Sequence, residues 1–381
     1  MEDAHSYVFD FDGVHGQGFF AVFDGHAGRE AADWCGKNFH EVSLGFLYPA
    51  MIVISLSQCM LSTLQANPDA SIPDVYNQTF HKVDISLSKI SEDSRGRIHS
   101  GCTAVTAFLR VEDAEGRQSF LKSLQDSPSN TSSIKELVDT TSGNGEPSDH
   151  QSQTLSQSRL KTALQRFSQS SWSLSPTLRL LSPSTSSPEA ASKSSVSAAP
   201  QCPPAGSPLR RVLYVANAGD ARGVLCRKGR ALRLTYDHKG TDKQEAKRIT
   251  DSGGFVMSGR VNGVLAVTRS LGDSSMKEFV VGAPYTTETE LTEDDEMLIL
   301  ACDGVSSSPL QKRISLLIAC MHQMQIWDVL NDQAACELVR AVPDPQDAAK
   351  ALVQEATHRY TNDNITAMVI RLKDVPAELQ S

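Results

Sequence analysis

None of the eight cysteines forms a C-x-x-C pair, so neither a zinc site nor a disulfide framework is indicated. Cys35, Cys59, Cys102, Cys202, Cys226, Cys302, Cys320 and Cys336 instead read as small buried hydrophobes in a reducing compartment. No basic block offsets the net charge of -9, which argues against nucleic acid as the main partner. Met1 is followed at once by Glu2 and Asp3, so no signal peptide is expected, and the location should be cytoplasmic or nuclear. Charge is also missing from Val42 to Pro68, where "LGFLYPAMIVISLSQCML" approaches the length of a bilayer span. Ser43, Pro49, Ser55, Ser57 and Gln58 dilute that run and no second span accompanies it, so no membrane segment is expected.

What is present divides by composition. With 381 residues, 40% of them hydrophobic, the chain can build a large core. Residues 118–208 cannot contribute to it. Stretches such as "SQSQTLSQS" and "SLSPTLRLLSPSTSSPEAASKSSVSAAP" bury too little apolar surface to offset their ordering entropy. They are read as a disordered insert in a single domain made of 1–117 and 209–381.

Within that domain the patterns alternate between strand and helix. "GFFAVFDG" is a strand, and the helix after it carries Ala32, Cys35 and Phe39 on one face. "IPDVYNQTFHKVDISL" repeats the helical pattern with Ile72, Tyr76, Phe80, Val83 and Leu87. "RVLYVANAGDARGVLCRKGRALRLTYD" alternates about Arg227-Lys228-Gly229 and predicts an antiparallel meander. "TDKQ" at Thr241–Gln244 predicts a capping box, closed by Gly253-Gly254. Asn262-Gly263 predicts a tight hairpin, and Asp344-Pro345 a helix start with Ala348, Leu352, Val353 and Ala356 inward. "EMLILACDG" and "NITAMVIRLK" are further strands. Hairpins grouped together with helices around them indicate an α+β fold with antiparallel sheets.

Acidic residues recur where these apolar strands end: Asp24, Asp220, Asp273, Asp303 and Asp363, with Glu2 and Asp3 before the first strand. Each alone is an ordinary turn residue. As a series they indicate a cation site, because converging carboxylates repel without one, and carboxylates, carbonyls and water are the ligands of Mg²⁺ or Mn²⁺.

The ordered motifs "MEDAH", "FFAVFDGHAG", "GCTAVTAFL", "LYVANAGDARGVL", "DHK" with "EAKRITDSGGFV", "RVNGVLAVTRSLGD", "LACDG" with "IWDVL", and "DNITAMVIRL" resemble those of the metal-dependent protein phosphatases, the type 2C serine/threonine phosphatases. The resemblance covers 1–41, 61–110, 211–304 and 326–372. It implies a sandwich of two antiparallel β-sheets flanked by α-helices, with a metal centre of two Mg²⁺ or Mn²⁺ ions and a weaker third. By resemblance, Asp24 bridges the two ions, Glu2 and the Gly25 carbonyl serve one, and Asp303 and Asp363 the other. Asp220 and Asp328 match the third site, and Asp3 would orient water. Two divalent ions roughly 3.5–4 Å apart can hold a hydroxide for direct attack on phosphorus, without a phosphoenzyme. His26, two residues after Asp24, is then the natural general acid for the leaving alkoxide. The implied partners are phosphoserine and phosphothreonine proteins and kinases of signalling pathways, met by a monomer. The family pattern also has a phosphate-binding arginine and a first strand ahead of "MED". This sequence starts at Met1, so both are expected to be missing from it.

Two other readings stay open. "YVFDFDGV" fits the start of haloacid-dehalogenase-type phosphatases, with Asp10 as nucleophile and Asp12 as acid/base, although that fold requires a parallel sheet. A pseudophosphatase that binds phosphoproteins without turnover is the second.

Two stretches interrupt the family pattern. Removing Val305–Gln325 yields "LACDGIWDVL", and removing Val42–Gln58 joins "KNFHE" to "CMLSTLQANPD". Every valine codon begins GT and a glutamine codon can be CAG, so each stretch has the ends of an in-frame GT…AG intron. Both are read as retained introns. Val305–Gln325 is expected to push Trp327 and Asp328 away from Asp303 and to impair activity.

Overall fold

Alternating residues start the first hairpin. β1 (Ala4–Phe9) runs antiparallel to β2 (Gly18–His26), with Ala4 opposite Phe23 and Phe9 opposite Gly18. This computed structural model describes residues 2–39, 59–95, 97–121, 208–302, 327, 330–359 and 365–375. All of them belong to one unit, Met1–Ser127 with Ala199–Ser381; the other unit, Pro128–Ala198, lies outside the described residues.

After β2 come α1 (Glu30–Asn38), α2 (Cys59–Ala66) and α3 (Ile72–Asp93). Ser71 caps α3, accepting from the Asp74 amide, and Pro73 occupies its first turn. The chain continues through β3 (Gly101–Glu112), β4 (Arg210–Ala218), β5 (Arg222–Arg227), β6 (Arg230–Arg233) and α4 (Lys243–Asp251). The short strands β7 (Val256–Met257), β8 (Arg260–Val261) and β9 (Leu271–Gly272) precede β10 (Tyr285–Glu290) and β11 (Asp295–Ala301). Two helices, α5 (Asp332–Arg340) and α6 (Pro345–His358), lead to β12 (Ala367–Arg371).

Among the described residues, one sheet has the order β1-β2-β3-β4-β10 with β9 beside β3, a second β12-β11-β5-β6, and β7 and β8 pair by themselves. Side chains alternate across a strand. Phe19, Ala21 and Phe23 of β2 therefore meet α1, α2 and α3 in one core. Phe20 and Val22 face the second sheet and pack with Leu225, Leu298 and Leu300. On its other face the second sheet presents Val224, Cys226, Met297 and Ile299 to α5 and α6. The result is the expected α-β-β-α sandwich. Its central strands are apolar on both sides because both sides are covered. Among the described residues no helix is long and apolar enough to cross a membrane; Val42–Gln58 lies outside them.

Local expectations met several corrections. The predicted meander is split: β4 pairs with β3 and β10, whereas β5 pairs with β6 and β11. The chain changes sheets at Gly219 (φ +102), and alternation along two fully buried strands cannot say which partner each will bond. The cap of α4 is Asp242 rather than Thr241; its carboxylate accepts from the Gln244 and Glu245 amides. The β7–β8 hairpin turns at Ser258-Gly259, while Asn262-Gly263 makes a second tight turn closed by a Val261–Leu265 bridge. Order also extends past the expected insert boundary. Gln118 bonds the Val111 carbonyl (2.9 Å), and Phe120 is buried against Val14 and Val111.

Candidate active site

Register alone gathers the acidic strand ends. Asp24 lies opposite Thr103, His26 opposite Gly101, and Gly101 in turn opposite Gly272, so Asp273 comes to His26. In the second sheet Ala301 pairs with both Arg222 and Ala367, which brings the β4–β5 crossing, the end of β11 and the start of β12 together.

The tightest element is a pair that the sequence reading did not assemble. His26 Nε2 lies 2.7 Å from Asp273 Oδ2, with both side chains buried. Asp273 also accepts from the Ser270 hydroxyl and sits in the left-handed region at φ +47. Burial pushes its carboxyl up, but His26, Ser270 and Lys277 outweigh burial and hold it below the usual carboxylate range. Gly101 makes the approach possible: a Cβ there would stand 2.2 Å from Asp273 Oδ2 and 2.5 Å from His26 Nε2. From behind, Asp84 of α3 accepts from the Gly272 amide (2.9 Å) and pairs with Lys277 (2.7 Å), which fixes the loop carrying Asp273.

Asp24 is fully buried in β2, and the Glu2 carbonyl passes directly over Gly25, where a Cβ would lie 2.2 Å from it. Asp3 joins the two sheets. Its Oδ2 accepts from the Thr366 hydroxyl (2.8 Å), three positions after Asp363, and lies 3.3 Å from the Sγ of Cys302, directly before Asp303. Burial raises the Asp3 carboxyl above its ordinary range. Asp220 is buried and pairs with Lys239 at 3.4 Å.

Whether these groups suit a cation can be judged from their unpaired oxygens. Buried Glu2 Oε2, Asp3 Oδ1 and Asp220 Oδ1 accept no hydrogen bond among the described residues. Buried charged oxygens are unfavourable without a donor or a cation, and an all-oxygen set suits a hard divalent ion. No group of three or more Asp, Glu, His or Cys that could hold a metal ion is complete among the described residues. Asp303, Asp328 and Asp363 lie outside them.

Asp10 and Asp12 are placed far from this cluster. Both have left-handed backbone in the β1–β2 turn, where Asp10 accepts from the Gly16 amide. The length of β1 separates them from Asp3 by roughly 20 Å, and the sheet is antiparallel. The haloacid-dehalogenase reading fails on both counts.

Trp327 corrects another expectation. Despite the inserted 305–325, its indole N–H donates to the Ala301 carbonyl (3.1 Å), and the ring is buried in the α5–α6 core. Arg222 stacks 5.4 Å from the ring centre while bonding Asp237 and Asp332. Burial and these bonds outweigh loop closure, whose cost grows only logarithmically with length.

His238 is a second residue whose role was not foreseen, although "DHK" marked it. Its Nδ1 lies 3.2 Å from the Gly219 amide nitrogen and 3.0 Å from the Gly219 carbonyl oxygen at the sheet crossing. Burial first, then Arg269, pushes its pKa down to about 4. The unfolded chain thus binds the extra proton more readily. Stability contributed by His238 should be complete above about pH 6.5, decline as pH falls towards about 4, and level off below that. Urea titrations from pH 7 to 4 should show this slope, and His238→Gln should flatten it. An unchanged slope in that variant would remove His238 as its source.

The fold is the one the phosphatase resemblance implied, an α-β-β-α sandwich of antiparallel sheets. The Protein phosphatase 2C family profile matches residues 1–115 and 145–365. Protein phosphatase 2C homolog 1 of Schizosaccharomyces pombe is 33% identical over 380 residues, covering 100% of this chain and 71% of that protein. Its namesake in Saccharomyces cerevisiae is 33% identical over 372 residues, covering 98% and 88%. The chain belongs to the protein phosphatase 2C family, a family of serine/threonine phosphatases that in general depend on Mg²⁺ or Mn²⁺. Two solved structures share the fold. A serine-threonine phosphatase 2C from Toxoplasma gondii has a TM-score of 0.52 at 16% identity, covering 98% of this chain and 90% of that one. A C. elegans sex determining protein has a TM-score of 0.58 at 18% identity, covering 100% and 64%.

Proposed function

We propose that this chain removes phosphate from serine and threonine side chains of proteins, with the reaction centred on Asp24 and His26. Asp24, Glu2, the Gly25 carbonyl, Asp303 and Asp363 would hold two Mg²⁺ or Mn²⁺ ions, and Asp220 with Asp328 a weaker third. When bound, the ions supply charge neutralisation at the phosphoryl group and acidify water for attack. Asp3 orients that water from a carboxylate held by Thr366 and Cys302. Attack is direct, with no phosphoenzyme. The leaving alkoxide takes its proton from His26.

One observation carries this reading: the buried His26–Asp273 pair, two residues from the buried Asp24. Asp273 occupies Nε2, while buried Nδ1 has no partner among the described residues, so Nδ1 is the nitrogen left for the substrate oxygen. Proteins carrying phosphoserine or phosphothreonine, including signalling kinases, are the proposed partners of a monomer.

His26→Ala should lower Mn²⁺-dependent turnover of a phosphothreonine peptide by about 10²–10⁴-fold. It should spare p-nitrophenyl phosphate, whose leaving group needs no proton. Asp273→Asn should follow the same split more mildly, because it disturbs the imidazole without removing it. Equal losses on both substrates in His26→Ala would count against a general acid. No Mn²⁺-dependent turnover by the unaltered chain would leave a phosphoprotein-binding role in its place.

A further inference from the structure

The path between α1 and α2 carries information about what this domain needs. Phe39 ends α1, its amide bonded to the Cys35 carbonyl at 2.9 Å, four residues back as in any α-helix. Its own carbonyl accepts from the Met60 amide at 3.2 Å. Phe39 and Met60 are 21 positions apart in the chain. With residues 42–58 taken out, the order becomes Phe39, His40, Glu41, Cys59, Met60. Met60 is then the fourth residue after Phe39, and the observed bond becomes the ordinary helical one.

Burial agrees independently. Ala32, Cys35, Phe39, Met60 and Thr63 are each 0% exposed. Without 42–58 their successive spacings are 3, 4, 4 and 3, the inward stripe of one amphipathic helix. The stripe lies along α3: Thr79 Oγ1 reaches Met60 Sδ (3.7 Å), and Lys82 Nζ donates to Thr63 Oγ1 (2.8 Å). The start of α2 also has no acidic residue in its first turn, as suits a helix interior more than a helix start. One residue more or fewer between Phe39 and Met60 would rotate α2 by about 100° and turn Met60 and Thr63 off the core.

We infer that residues 42–58 interrupt a single helix running from Glu30 to Ala66, in register to the residue, and that the fold does not require them. This rests on the fold and not on the catalytic roles proposed above.

Four chains test it: the full chain, Δ42–58, Δ42–57, which keeps one residue too many, and Δ41–58, which removes one too many. Melting temperature and far-ultraviolet circular dichroism are measured for each. Δ42–58 should melt at or above the full chain and have the larger helical fraction. Both off-register variants should melt lower than Δ42–58 by roughly 5 °C or more, since each misplaces two core residues. An off-register variant that equals Δ42–58, or a Δ42–58 chain that melts below the full chain or does not fold, overturns the inference.

Discussion

Asp24→Asn should lower Mn²⁺-dependent phosphopeptide turnover by more than about 10²-fold if Asp24 is the metal ligand proposed above, because removing a ligand charge harms a metal site more than removing an outer partner does. The substitution keeps shape and volume at a fully buried position near the end of a paired strand, so the core should survive it. It also removes one of two neighbouring carboxylates, Asp24 and Asp3, which would repel each other if both were ionised without a cation. Metal-free Asp24→Asn should therefore melt no lower than the unaltered metal-free chain, while Mn²⁺ binding by calorimetry weakens sharply. That pairing separates a ligand from a merely structural aspartate, which would lose stability and keep its affinity for metal. Retention of a tenth of the activity would remove Asp24 from the centre of the reaction.

Deleting Val305–Gln325 should raise turnover, by about 10–10²-fold if the inserted residues let the adjoining Asp303 drift by an ångström or so. The reasoning starts from Trp327. Its bond to the Ala301 carbonyl keeps the return point of the chain at the end of β11, so a shortened chain "LACDGIWDVL" can close without moving it. In sequence Asp303 lies between that strand end and the inserted stretch, and the metal ligand proposed for it needs both flanks fixed. Equal turnover with and without the segment would show that the insertion is tolerated. The same Val and Gln ends frame 42–58, and sequencing the transcript addresses both segments at once. Mature messenger RNA that uniformly carries them would end the intron reading, while leaving the helix register at Phe39 and Met60 as it is.

Much of the architecture follows from local pattern. The helical stripe Ile72, Tyr76, Phe80, Val83, Leu87 is buried along α3 as its spacing requires, and Asp344-Pro345 starts α6 with the Asp344 carboxylate on the Asp347 amide. Asp24 stood out as one of a series of acids at strand ends, whereas the roles expected of His26 and Asp3 came with the family resemblance. Where a segment's neighbours are its own turn or its own helix face, short-range chemistry is sufficient, and there the sequence by itself determined the outcome.

Pairings across the fold were decided elsewhere. Nothing between Asp220 and Arg222 says that β4 and β5 enter different sheets, since both strands are apolar on both faces. Asp273 stood in the sequence as one more turn acid, 247 positions from His26. It became the partner of His26 only when β9 aligned with Gly101, where the absence of a side chain leaves room for the contact. Trp327 was expected to be displaced and is instead held by Ala301, Arg222 and the α5–α6 core. In each case the deciding energy is burial and hydrogen bonding between distant segments. Sequence periodicity reports which face of an element is apolar; only the packed structure determines which other element that face meets.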